Sequence, residues 1–177
     1  GEKPTKKKVD YAKELKIKLE TAVETLLLIK QNTSWSGQKE IIGNRDDIKI
    51  IGDRFVFQSE VLFDSGEANI GIDGQRQLAK LSVAIQELID EIPEEINWIL
   101  RIDGHTDKVP IRNSRYESNW ELSASRAISV VDFLIKTGIP PNRLAATGRG
   151  EFMPLEIGDN EIAYKKNRRI EIKLTES

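Results

Sequence analysis

The chain has 177 residues, 38% of them hydrophobic, with 27 basic and 29 acidic side chains. That suffices for one core with an appendage, or at most two small domains, and the interleaved charges (net −2) exclude a basic nucleic-acid footprint. The absence of cysteine excludes disulfides, thiol catalysis and cysteine-ligated metals.

The opening GEKP reads as the start of an excised fragment, so targeting or membrane segments are expected in a longer parent. Within this chain the longest apolar run, LLLI at 26 to 29, is too short to span a bilayer. No signal peptide is visible. KPTKKK reads as a solvated tail. Residues 10 to 31 lack proline and glycine, and Leu15, Leu19, Ala22, Leu26 and Ile29 recur at spacings of three and four, which predicts an amphipathic helix. Its stripe serves equally well for packing on its own domain or pairing with another chain. NTSWSGQ breaks the pattern, so residues 1–46 read as helix and linker and 47–177 as the folded domain.

DIKIIGDRFVFQSEVLF predicts two short strands around Gly52-Asp53. After the loop FDSGEANIG, a second helix is predicted from about Asp73 to Asp90, burying Leu78, Leu81, Ile85, Leu88 and Ile89 and stopped by Pro93. INWILRIDG alternates as a central strand. A helix from Asn119 to Lys136 is expected to pack through Trp120, Ala124, Ala127, Val131 and Leu134, with Gly138 and Pro140-Pro141 as its stop. RLAATGRG reads as a short strand and glycine turn, EFMPLEIGDNEIAYKKN as an irregular polar connection, and RRIEIKL as the last strand. The sum is α+β, in the order β-α-β-α-β-β, with helices on one face of a sheet.

Asp103, His105 and Asp107 invite a metal reading, since alternation at a strand end would point all three one way. Against it, the chain has one histidine, and zinc sites need several nitrogen or sulfur ligands. His105 therefore reads as a hydrogen-bonded loop residue, and no metal or cofactor is expected. Ser36-x-x-Lys39 and Lys136-Thr137-Gly138 match two signatures of penicillin-recognising enzymes, but one falls in a linker and the other at a helix end. Gly148-Arg149-Gly150 is a turn. No catalytic apparatus is evident, and no enzyme activity is expected.

What remains is a binding constellation. Asn119, Leu122 and Arg126 share a helix face beside the buried stripe, with small neighbours leaving the Arg126 guanidinium accessible. Asp107 ends the strand leading to the same loop. The carboxylate and guanidinium either satisfy each other in a structural salt bridge or hold the two ends of a zwitterion. Spacing alone does not choose.

Five separated motifs, GHTD, SNWELSASRA, GIPPNRL, GRGE-x-x-P and NRRIEIKL, follow in that order. Together they resemble the OmpA-like peptidoglycan-binding domain shared by OmpA, Pal and MotB, over about residues 48 to 175. The long loop after HTD, with Val-Pro-Ile, and the stretch LFDSGEANI resemble the MotB-like sub-type. The resemblance implies an OmpA-like β-α-β-α-β-β sandwich and non-covalent binding of peptidoglycan through the zwitterionic end of diaminopimelate in the stem peptide. It carries Asp107 and Arg126 over as the ligand's charged partners. Thr106, Asn119 and Leu122 match the pocket lining, Phe63 and Asp64 a second wall, and Arg169 a basic position close to the site. The loop from Lys108 to Ser118 departs from the family. The resemblance further implies a homodimer in the periplasm of a Gram-negative bacterium, a parent protein anchored in the inner membrane, and a MotA-like partner reached through a preceding region. The alternative is a dimerisation or assembly module of an inner-membrane complex.

Overall fold

The computed structural model describes Ile17 and residues 48–51, 54–90, 92, 94–95, 97–111 and 113–176. The helix predicted over 10 to 31 (Ile17 apart, which is helical), the linker, Ser36-x-x-Lys39, the turn Gly52-Asp53 and Pro93 lie outside the described residues. So does the division of the chain at residue 46.

Strands β1 (Ile48–Ile51) and β2 (Arg54–Gln58) pair antiparallel. The second strand does not run on through SEVLF. It turns at Gln58 into one helical turn, α1 (Ser59–Leu62), because that turn buries Leu62 and leads into buried Phe63. The Ser59 amide, meanwhile, donates to the Arg168 carbonyl at 2.9 Å. Tertiary burial here outweighs the strand propensity of the segment.

Helix α2 (Ile72–Ile89) follows the loop, and β3 spans Trp98–His105. Helix α3 (Asn119–Lys136) leads through a 3₁₀ turn (Pro141–Arg143) to β4 (Leu144–Gly148). The connection expected to be irregular contains α4 (Glu161–Asn167), whose N-cap Asn160 accepts from the Ala163 amide at 2.9 Å. β5 (Arg169–Glu176) closes the chain.

The sheet order is β1-β2-β5-β3-β4, antiparallel except for the β3–β4 pair, so it is a mixed sheet. β3 is interior, as expected, but β5 is the middle strand. α3 is the crossover that a parallel pair requires. Alternation sends Leu100, Ile102, Ile170 and Ile172 into the core against Leu78, Leu81 and Ile85 of α2 and Ala127, Val130 and Leu134 of α3. Each fully buried aliphatic chain contributes roughly 1.5–3 kcal/mol. The opposite face of the sheet carries Arg101, Asp103, His105, Arg169 and Glu171.

α3 starts at an N-cap, Ser118, which accepts from the Glu121 amide, and it stops at Gly138 (φ +110°), where the Ile139 amide closes on the Leu134 carbonyl. Its inward face differs from the expected one. Asn119, Leu122, Ser123, Arg126, Ala127, Val130 and Leu134 are buried, whereas Trp120 is 52% exposed and stacks on Phe152. Two glycines decide this rotation. A Cβ on Gly104 would stand 2.1 Å from the Ser123 carbonyl oxygen, and one on Gly148 would stand 2.8 Å from the Ala124 amide nitrogen. The backbone of α3 therefore rests directly on β3 and β4, with residues 123 and 124 at the contact.

Candidate functional site

At the end of β3 lies a cavity of about 510 Å³, within the usual range for small-molecule sites. Phe63, Thr106, Asp107, Asn119, Leu122 and Arg126 all line it. Arg126, expected to lie beside the buried stripe, belongs to the buried face of α3, yet its guanidinium still borders the cavity. Its Nε donates to the Glu67 carbonyl at 2.8 Å and its Nη2 to the Asp64 carbonyl at 3.3 Å, and the guanidinium lies 5.0 Å over the Phe63 ring. Asp64, expected in a second wall beside Phe63, does not line the cavity and contributes only the carbonyl that accepts from Arg126. Burial lowers the Arg126 pKa, partly countered by Glu60 and Tyr116.

Asp107 is held differently. Its Oδ1 accepts from the Val109 amide at 2.9 Å, and its Oδ2 accepts from Arg168 Nη1 at 2.8 Å. Asn119 fastens the same loop by donating to the Asp107 and Val109 carbonyls and accepting from the Ile111 amide. Thr106 donates its hydroxyl to the Asp107 carbonyl at 2.7 Å. Val109, Pro110 and Ile111 of the divergent loop form part of the wall. Asp107 and Arg126 therefore face one cavity without being each other's ion-pair partner.

Arg168 escaped the sequence reading. It ion-pairs with Asp107, Glu60 and Glu161, three carboxylates on three segments, all lining the cavity. Burial works against its charge, but the hydrogen bonds it donates to Asp107, Glu161 and Glu60 prevail and its pKa is raised. Arg169, expected near the site, faces the other side of the sheet and bonds Glu171 at 2.6 Å. The cause is strand register: with Ile170 and Ile172 in the core, Arg169 and Glu171 must point away from it, and Arg168 remains in the loop. That alternation in RRIEIKL was the available signal.

Asp103, His105 and Asp107 do not converge, because β3 ends at His105 and Asp107 turns into the cavity. Asp103 and His105 instead meet Glu171, with donor atoms within 4.8 Å of one another. Arg101 already bonds Asp103, and Arg54 and Arg169 bond Glu171. A cation there would face a ring of guanidinium groups, so this donor set does not suit one.

Burial and then Arg169 lower the pKa of His105 from 6.5 to about 4, against raising contributions from Glu171 and Asp103. The unfolded chain thus takes up this proton more readily than the folded one. Stability from this group is complete above pH 6.5 and drains away as pH falls towards 4. Glu171 acts in the same direction at lower pH: burial opposes its charge, but Arg54 and Arg169 hold its pKa below normal. The expected loss from His105 is about 2 kcal/mol between pH 7.5 and 5. Urea unfolding at the two pH values would measure it, and His105→Asn should flatten the slope. An equal slope in that variant would exclude His105 as its source.

Comparison with known proteins places these features. The chain is 33% identical to YtxE of Bacillus subtilis over 174 residues, which is 98% of this chain and 64% of YtxE. It therefore spans just under two thirds of that relative. A crystal structure of a MotB-like protein from Desulfovibrio vulgaris superposes with a TM-score of 0.67 at 28% identity, covering 90% of this chain and 99% of that one. The cell wall anchor of the type VI secretion system from Pseudomonas aeruginosa gives a TM-score of 0.60 at 29% identity, covering 73% and 87%. The OmpA family profile matches residues 62–168, from α1 to the arginine that holds Asp107. By that match the chain belongs to the OmpA family, with a MotB-like structure.

Proposed function

We propose that this domain binds peptidoglycan non-covalently and anchors a membrane complex, a MotB-like stator or a relative of one, to the cell wall. The ligand group is the free amino-acid end of diaminopimelate in the stem peptide. Asp107 takes its ammonium and Arg126 its carboxylate, and no bond is made or broken. One observation carries the reading: a carboxylate and a guanidinium line the same cavity yet are not paired with each other. A zwitterion between them would meet an opposite charge at each end, beside the bonds that Asp107 and Arg126 already make. Nη1 of Arg126 makes no hydrogen bond among the described residues, so it is available to a ligand carboxylate. The likeness to a cell wall anchor supports the same conclusion.

On this reading the domain works in the periplasm of a Gram-negative bacterium, and the segment of residues 10 to 31, which the sequence predicts to be helical, leads towards the inner membrane. There a homodimer and a MotA-like partner complete the assembly. Among the described residues no helix is long and apolar enough to cross a membrane.

Calorimetric titration with a diaminopimelate-containing stem peptide, beside the same peptide carrying lysine, tests the proposal. Binding of the first alone is expected, since lysine lacks the second carboxylate. Equal binding of both would remove Arg126 from the recognition, and binding of neither would leave the assembly reading in its place.

A further inference from the structure

On the sheet face away from α2 and α3 lies a second cavity of about 600 Å³. It is walled on one side by Phe152, Met153 and Leu155 of the loop after β4. Its polar wall sets four arginines, Arg54, Arg101, Arg149 and Arg169, against two carboxylates, Asp103 and Glu171. With a neutral imidazole, positive charge is in excess.

The carboxylates are spoken for. Arg101 donates to Asp103 through Nε and Nη2, and Arg54 and Arg169 each take one oxygen of Glu171. What is unsatisfied is a set of groups around them. His105 is 4% exposed, yet neither ring nitrogen has a hydrogen-bond partner among the described residues, the nearest Glu171 oxygen being 3.9 Å from Nε2. Arg149 Nε is likewise buried without an acceptor. Buried donors are seldom left so in folded proteins, and those that are call for a reason.

We propose that this cavity is a binding site for a phosphate-class oxyanion, held by the guanidinium groups of Arg149 and Arg101 with His105 as a fixed donor. A tetrahedral oxyanion presents oxygens in several directions at once, which suits donors converging from β3 and from the turn after β4. Guanidinium groups pair with such oxygens through charge-assisted bonds. The site is separate from the Asp107–Arg126 cavity, because the two share no lining residue, Arg168 bordering one and Arg169 the other. It therefore stands or falls independently of stem-peptide binding.

The chain's single histidine makes the test direct, since its imidazole gives one unambiguous NMR signal. The folded protein is titrated with inorganic phosphate, with sodium acetate and with sodium chloride, at matched ionic strength and pH. Phosphate is expected to shift the His105 signal saturably and to raise its pKa from about 4, since a nearby anion favours the imidazolium. Acetate and chloride should do neither. Arg149→Gln and, as a second variant, Arg101→Gln should each weaken the phosphate response by roughly tenfold or more. Arg76→Gln on the exposed face of α2 should leave it unchanged. Dimethyl phosphate distinguishes the sources: a matching shift means that a phosphodiester chain is accepted, and a shift with inorganic phosphate alone means free phosphate or a monoester. The proposal is overturned if phosphate gives no saturable shift, if acetate shifts the signal equally, or if both arginine variants respond like the wild type.

Discussion

Replacing Asp107 with asparagine is expected to weaken stem-peptide binding by about tenfold to a hundredfold while leaving the fold in place. The magnitude follows from losing one charge-assisted bond to an ammonium group, worth about 1.5–3 kcal/mol. The choice of asparagine matters. Its side-chain oxygen can still accept from the Val109 amide, so the loop keeps its shape. Arg168 loses one carboxylate but retains Glu60 and Glu161. Calorimetry with the diaminopimelate peptide and a thermal melt, run together, separate the two effects. Wild-type affinity in this variant would mean that another carboxylate, Glu60 or Glu161, takes the ammonium. Arg126→Lys is the companion change: it keeps a positive charge but loses the planar fork and the bonds to the Glu67 and Asp64 carbonyls.

The second large effect lies outside the cavity. Gly104→Ala is expected to destabilise the domain by about 3 kcal/mol or more, at the upper end of overpacking costs. The added methyl would sit 2.1 Å from the backbone oxygen of Ser123, so no side-chain rotation can relieve the clash. α3 must lift away from β3, carrying Asn119 and Arg126 with it and leaving Asp107 behind. Urea unfolding should show the loss of stability, and peptide affinity should fall as well, although Gly104 does not line the cavity. Wild-type stability would mean that α3 and β3 can separate at little cost.

Much of this arrangement was legible in the sequence, for identifiable reasons. The alternation of RRIEIKL and INWILRIDG and the periodicity of α2 follow from burial on one face, so those elements fall where expected. Asp107, Asn119, Leu122 and Arg126 fall in motifs of the family, and the structure brings them to one cavity. The rotation of α3 was not legible, because Trp120 looks like a core residue. Only the close approach of two glycine backbones, a tertiary fact, turns it outward. Arg168 and Arg169 were exchanged for a simpler reason: two adjacent arginines look alike until strand register assigns each a face. The Asp103–His105–Glu171 cluster joins β3 to β5, far apart in sequence and adjacent only once the last strand takes the middle of the sheet.

The hairpin at the sheet's edge has a mechanical consequence. Ile48 pairs with Phe57, one residue before Gln58 and two before Ser59 in the cavity wall. A tether pulling on the residues before Ile48, with resistance at the cavity, grips both arms of the hairpin at the same open end. The load then falls on the Ile48–Phe57 pair first and on the other three pairs of β1 in turn, never on all of them together. Under such tension this edge would peel like a zip and lengthen before the cavity wall that follows β2 is disturbed.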